Sequence, residues 1–254
     1  MLPPRRLPAN CPKAPERATL NIVGFYEPLV PTRYVYVARK PRLSFSPLEL
    51  RHILLSVGLL TLAFVIVTFT PGILGGPTPP LEPYSVAVTF VAAFVAVLTG
   101  FLLHELAHKV VAVRYGCWAE FRSDLRGLLM GLVTAVMGFV FAAPGAVFIA
   151  GAVTPARNGK ISLAGPLTNF VVGVAAFAGA RAVEAQLPLV GSLTEVILLV
   201  LVQMAYVNLL LGIFNMIPLH PLDGSKVWAW NKGAYIATMA TLVAAFIVAF
   251  YLPR

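Results

Sequence analysis

The sequence predicts an α-helical multi-pass membrane protein with about five spanning helices, a short re-entrant segment and a small β-hairpin. Composition is the first reason: of 254 residues, 59% are hydrophobic and only 11% charged, far from the balance of a soluble domain. The second is that the apolar residues gather into runs long enough to cross a bilayer. The third is an uneven distribution of Lys and Arg between the connecting segments, as orientation in a membrane requires. The net charge of +9 raises the question of nucleic acid. The basic residues are not interleaved with aromatics on a soluble domain, so the bilayer is the expected partner and nucleic acid is not. Cys11 and Cys117 are too few for a disulfide framework and stand in no zinc-binding spacing.

Residues 1–52 hold nine prolines and nine of the 19 Lys and Arg, with one strand-like alternation at Tyr34–Val37. They read as a polar, basic, extended arm without the apolar core of a signal peptide, so entry into the bilayer through internal spans is expected. Ile53–Thr70 reaches about 27 Å as a helix and stops at Pro71. After a proline-rich linker, Ser85–Leu103 is apolar, and its helical pattern continues to Tyr115. Leu167–Ala185, Val196–Phe214 and Ala234–Tyr251 complete the full-length runs. Leu128–Ala142 covers only about 22 Å, is interrupted by Gly131 and Gly138, and ends in Ala143, Pro144, Gly145. If that segment spans, the basic residues divide 15 to 4 between the two faces; if it dips in and returns, they divide 17 to 2. The charge rule favours re-entry, with a cytoplasmic N-terminus.

His104, Glu105, Leu106, Ala107, His108 form an H-E-x-x-H pattern near the inner end of the long second helix. Residues at i and i+4 share a helix face, so both imidazoles can grip one Zn²⁺ while Glu105 reaches the water beside it. A pair of merely hydrogen-bonded histidines is the plainer alternative. Two His and a Glu in an apolar run are costly to bury without a partner or a metal.

A catalytic zinc takes three protein ligands, so a third residue must come from elsewhere. The extended motif fails, because its third His would be Arg114 and its Gly is Val111. Glu120, beside Phe121 and Arg122, reads as a solvated loop carboxylate. Glu184 and Glu195 fall on the outer face. Asp223 remains, in Asn215-Met216-Ile217-Pro218-Leu219-His220-Pro221-Leu222-Asp223-Gly224. Re-entry of 128–142 is what brings it to the same face as His104 and His108.

The H-E-x-x-H helix, Ala164-Gly165-Pro166-Leu167-Thr168-Asn169 and N-x-x-P-x-x-x-L-D-G at 215–224 together resemble the site-2 protease family of intramembrane zinc metalloproteases, particularly its compact archaeal-type members. The resemblance covers a core of about 95–230 within a membrane metalloprotease domain of 53–254. It implies an endopeptidase that hydrolyses peptide bonds of transmembrane substrates, in regulated intramembrane proteolysis at the cell membrane, with the active site opening toward the cytoplasm. One zinc per chain would be held by His104, His108 and Asp223, with Glu105 as general base and Asn169 and Asn215 positioning the substrate backbone. Only 55 residues separate His108 from Ala164, too few for the inserted PDZ domain of many bacterial members. Three alternatives remain open: a non-catalytic client-binding protein, a metal transporter, and another H-E-x-x-H membrane peptidase with Glu as third ligand.

A helical substrate must unwind before attack, and something must hold it extended. Ala146–Ala152 and Lys160–Ala164, joined by a turn at Asn158-Gly159, read as a hairpin near the metal site whose edge could pair with substrate. Gly165-Pro166 reads as a strand-to-helix turn. Trp228 and Trp230 with Lys226 and Lys232 read as an interfacial belt. His52 is expected at the interface, and His220 in a polar loop, with contact to the reacting carbonyl as the sharper alternative. His104 lies about 16 Å up the helix from Tyr115, so a water path to the cytoplasmic face is expected.

Overall fold

The first span is started by its polar flank. Ser46 accepts a hydrogen bond from the Glu49 N–H at 3.0 Å, and Pro47 occupies the first turn, a helix start written in Ser-Pro-Leu-Glu. Helix α1 therefore runs Pro47–Phe69 and takes in residues 47–52, which the apolar pattern leaves in the arm. The computed structural model describes residues 42–72, 78–151, 153–186 and 192–252. The first 41 residues of the arm, including Cys11 and the Tyr34–Val37 alternation, lie outside the described residues.

After α1 come α2 (Pro83–Val97), a π-helical turn (Leu98–Leu102) and α3 (Leu103–Arg114), which form one continuous rod. Strand β1 (Trp118–Ser123), α4 (Leu125–Val136) and β2 (Gly145–Ala150) follow, then α5 (Pro155–Gln186), α6 (Ser192–Asn215), α7 (Asp223–Trp230) and α8 (Lys232–Phe250). Among the described residues five helices are long and apolar enough to cross a membrane: Pro47–Phe69, Pro83–Arg114, Pro155–Ala185, Leu193–Asn215 and Lys232–Phe250. These are the five expected spans. Large apolar side chains such as Leu54, Leu62, Val133, Val171 and Ile236 face outward, as a lipid solvent permits.

The doubtful sixth run goes in and comes back. α4 leaves directly from β1, and the chain reverses after it through Gly138, whose φ of +88° favours glycine. The return segment lies against α4, where a Cβ on Gly131 would meet Ala142 Cβ at 2.8 Å, and Thr134 Oγ1 accepts from the Phe141 N–H at 2.9 Å. The Asp124 N–H then donates to the Pro144 carbonyl at 3.0 Å, and Ser123 pairs with Gly145. Both ends of the excursion are thus at the same place.

The β-pair corrects the expected hairpin. β2 pairs antiparallel with β1, from Trp118↔Ala150 to Ser123↔Gly145, and residues 160–164 are helical. Thr154 caps α5, with its Oγ1 accepting from the Arg157 N–H at 3.3 Å and its carbonyl from the Asn158 N–H at 2.9 Å, and Pro155 begins the helix. The turn signal at Asn158-Gly159 yields to packing: a Cβ on Gly159 would run into the Trp230 side chain. Gly165-Pro166 is likewise no turn, because Pro166 lies inside α5. A mid-helix proline forfeits a backbone hydrogen bond, so packing must offset that loss.

Two apolar clusters flank the middle of the molecule. One joins α1, the α2 rod, β1 and α4 through Ile53, Val57, Leu60, Val97, Phe101, Phe121 and Leu128; the other joins α6, α7 and α8 through Leu209, Met216, Val227, Tyr235 and Leu242, with Phe170 and Phe177 of α5 packed against it. A buried ion pair ties α1 to α3 beside the H-E-x-x-H motif. Lys109 Nζ donates to Glu49 Oε1 at 2.6 Å, to Oε2 at 2.5 Å and to the Ser44 carbonyl at 2.7 Å, and Glu49 Oε1 accepts from the Phe121 N–H at 3.0 Å. Removing one charge of such a pair strands the other in a dry site. Glu49→Gln is expected to cost about 3 kcal/mol, read as a lowered thermal midpoint in detergent; an unchanged midpoint contradicts the pairing.

Candidate metal centre

α3 presents His104 and His108 on one face, T-shaped to each other with ring centroids 4.6 Å apart. Their Nε2 atoms are 2.9 Å apart, and Asp223 Oδ2 stands 2.9 Å from His108 Nε2 and 3.2 Å from His104 Nε2. All three residues are buried. A tetrahedral zinc with N and O ligands at about 2.0–2.1 Å has ligand–ligand edges of about 3.3 Å, so the triangle is close to one face of such a site.

The outer partners set the chemistry of the donors. His104 Nδ1 meets Asn169 Oδ1 at 2.5 Å, and His108 Nδ1 meets the Ile161 carbonyl at 2.7 Å. Both partners only accept, so both Nδ1 atoms carry hydrogen and both Nε2 atoms turn lone pairs toward Asp223. A proton on either Nε2 would satisfy one of these contacts, whereas a single metal cation between two lone pairs and a carboxylate satisfies all three, and the donor set suits zinc. Asp223 starts α7, and Lys226 one turn on approaches its Oδ1 at 3.4 Å, leaving Oδ2 to the cluster.

Glu105 is half-buried and lines the same cavity, about 380 Å³. Val147 and Ile149 of β2 line the cavity too, as do Asn215, His220 and Lys226. Leu219, His220 and Pro221 are exposed and form a rim that gives water a route in. An apolar groove of about 560 Å³ between α1 and α6 adjoins the cavity, and the two share Phe101, Phe141 and Phe214.

The structure thus brings together His104, Glu105, His108, Asp223 and Asn215. Asn169 is also at the centre, but behind His104: it is fully buried, and its Nδ2 donates to the Gly100 carbonyl at 2.8 Å and to Asn208 Oδ1 at 3.2 Å. No face of it is turned to a substrate backbone. Glu120 needs correction, since it is a buried β1 residue that accepts from Ser46 and, at 2.6 Å, from Arg122; strand pairing, which its neighbours do not reveal, carries it inward. Glu184 sits about 28 Å along α5 from Gly165, paired with Arg181. His52 is half-buried against Ser123, with Nδ1 2.6 Å from the hydroxyl. Trp228 is partly exposed and packs on Tyr235 and Lys232, whereas Trp230 seals the start of α5.

Sequence reasoning passed over Gly165 and Asn208. Gly165 reads locally as a turn residue, yet a Cβ there would lie 2.5 Å from His104 Cε1 and Nε2 and 2.6 Å from His108 Nε2. Its absent side chain is what lets α5 close over the imidazoles. Asn208 could have been noticed as a polar residue within the otherwise apolar α6.

No family model matches the sequence, and no solved structure matches it. Among curated proteins, the chain is 41% identical over 146 residues to "Putative zinc metalloprotease MJ0611" of Methanocaldococcus jannaschii, covering 57% of this chain and 72% of that protein. It is 34% identical over 174 residues to "Putative zinc metalloprotease Rip3" of Mycobacterium tuberculosis, covering 66% of this chain and 37% of that protein. It is 28% identical over 144 residues to "Zinc metalloprotease MJ0392" of M. jannaschii, covering 56% of this chain and 33% of that protein. With most of the MJ0611 chain matched at that identity, and with two histidines and an aspartate gathered into a zinc-like triangle, the chain belongs to the same zinc metalloprotease family.

Proposed function

We propose that the protein is an intramembrane zinc metalloendopeptidase of the site-2 protease kind, which hydrolyses peptide bonds of membrane-spanning substrates. The observation that carries this reading is the triangle of His104 Nε2, His108 Nε2 and Asp223 Oδ2, with the Glu105 carboxylate in the same cavity among apolar helices. Zinc held there would polarise the scissile carbonyl and make a water molecule easier to deprotonate. Glu105 accepts a proton from that water as its oxygen attacks the carbonyl carbon, and delivers it to the departing amine nitrogen as the C–N bond breaks. Asn169 holds His104 in the tautomer that exposes Nε2. Asn215, at the end of α6 in the cavity wall, gives one amide hydrogen to the Leu211 carbonyl at 3.1 Å and would offer the other to a substrate carbonyl.

β2 supplies the surface that keeps substrate extended. The Phe121 N–H is given to Glu49 and, three residues on, the Asp124 N–H to the Pro144 carbonyl, so Phe121↔Val147 is a non-hydrogen-bonded pair of the β1–β2 ladder. By the two-residue period the backbone groups of Ile149 also point away from β1, toward the cavity it lines. An unwound substrate can add there as a further strand. Ile149→Pro removes one outward N–H and is expected to lower kcat/KM roughly tenfold, the worth of one hydrogen bond of about 1.4 kcal/mol, measured on a single-span test substrate; equal rates would place substrate elsewhere.

The N-terminus and the cavity mouth are assigned to the cytoplasmic side on the 17 to 2 division of basic residues. Labelling of a cysteine placed at Arg157 from the outer face would refute that orientation. The function itself is tested by incubating purified, zinc-loaded protein in detergent with tagged single-span substrates. Cleavage that a chelator stops and added zinc restores supports the peptidase; zinc bound without cleavage of any substrate supports client binding instead.

A further inference from the structure

We infer that Asn208 is a positioning residue: through Asn169 it selects the tautomer of His104, and three backbone carbonyls anchor the chain of hydrogen bonds. The inference rests on the metal-centre reading of His104. Asn208 is fully buried in α6, a helix that contributes none of the three clustered donors. It reaches the α2 rod because Gly100 lacks a side chain; a Cβ there would stand 3.1 Å from Val207 Cγ1.

The direction of every bond follows from groups that cannot turn round. Thr99 Oγ1 donates its hydrogen to the Val95 carbonyl at 2.8 Å, so toward Asn208 it can only accept. Asn208 Nδ2 stands 3.1 Å from that Oγ1 and 2.9 Å from the Met204 carbonyl. Two acceptors face it, so this end of the amide is the nitrogen and the other end, Oδ1, is the acceptor. Asn169 then faces two acceptors in turn, Asn208 Oδ1 at 3.2 Å and the Gly100 carbonyl at 2.8 Å, which makes that end its Nδ2. Its Oδ1 is left for His104 Nδ1 at 2.5 Å, and the ring must carry its hydrogen there. The lone pair on Nε2 is the end product of an order imposed by the Val95, Met204 and Gly100 carbonyls.

The π-helical turn belongs to the same device. In it the Leu103 N–H bonds to the Leu98 carbonyl, an i to i−5 bond that widens the helix just before His104. The widened turn carries both Thr99 and Gly100, the two places where the relay touches the rod. π-turns interrupt α-helices mostly where a site needs a group re-aimed.

Without Asn208 the Asn169 amide is held by Gly100 alone, so its orientation is less strongly fixed, and the neutral His104 ring can put its hydrogen on Nε2 for part of the time and donate it to Asp223. The test has a zinc-free arm and a zinc arm. In zinc-free protein with ¹⁵N-labelled histidine at alkaline pH, His104 is expected as the Nδ1–H tautomer in wild type and as a mixture in Asn208→Leu. Asn208→Asp keeps an acceptor toward Asn169 and is expected to restore the wild-type spectrum. Thr99→Val, which preserves volume, is expected to shift the spectrum in the same direction as Asn208→Leu and serves if that variant does not fold. In the zinc arm, Asn208→Leu is expected to weaken zinc about tenfold, the lower end of outer-partner losses. Adding it to Asn169→Leu should cost nothing more, because both act through one atom. A tautomer unmoved by Asn208→Leu and Thr99→Val, or zinc losses that multiply in the double variant, would overturn the relay. Absence of zinc binding by wild type would instead overturn the metal centre, and the zinc-free arm would still decide the relay.

Discussion

Glu105→Gln is expected to lower peptide-bond cleavage by roughly 10²–10⁴-fold while zinc stays bound, the range that loss of a positioned general base produces. The separation follows from geometry. Glu105 is in the cavity wall, whereas the triangle is made by His104, His108 and Asp223. Glutamine keeps the size, but it cannot take a proton from water. Turnover of a single-span substrate beside zinc content per chain measures both halves. Turnover within a few-fold of wild type would remove Glu105 from the chemistry. Loss of zinc together with activity would make it a ligand and displace Asp223 from the proposed set.

Gly165→Ala is expected to cost zinc affinity by more than the roughly 10–100-fold that loss of an outer partner brings, although alanine is the better helix former. Helix propensity favours the substitution by about 1 kcal/mol. Against that, the new Cβ would sit 2.5 Å from two atoms of the His104 ring and 2.6 Å from His108 Nε2. Neither ring can yield freely, since Asn169 and Ile161 hold them from behind, so either the triangle opens or α5 moves off. Chelator competition for zinc and a thermal melt report the two responses separately. Wild-type affinity in the alanine variant would show that α5 does not close over the imidazoles.

The same glycine shows why part of the site escapes a reading of the chain. Gly165-Pro166 and Asn158-Gly159 are strong local turn signals, and both lie inside α5. In each pair the glycine is small for a neighbour distant in sequence: the imidazoles for Gly165, Trp230 for Gly159. Local conformational preference and tertiary fit use the same residue type, and sequence displays only the first. The strand partner was misplaced for a related reason. β1 and β2 are joined by an excursion of α4 and its return, and nothing in Ala146–Ala152 says whether its mate lies before or after it. Asn208 was visible as a polar residue in an apolar helix, but its meaning depends on Thr99, Met204 and Asn169, which meet only when α6 packs on α5 and the rod.

What the sequence by itself determined is everything governed by local periodicity or by a solvent-wide rule. The five spans follow from runs of apolar residues, the H-E-x-x-H face from the i, i+4 geometry of a helix, and the return of 128–142 from its short length and the placement of basic residues. Asp223 was reachable by elimination because few carboxylates occur in so apolar a chain. Only the tertiary structure decided which strand pairs with β1, that α5 begins at Pro155, that Glu120 is buried, and that Asn169 stands behind His104. Those outcomes turn on hydrogen bonds and close approaches between segments tens of residues apart. A buried polar group must find its partner wherever packing puts one, and the local pattern of the chain carries no record of where that is.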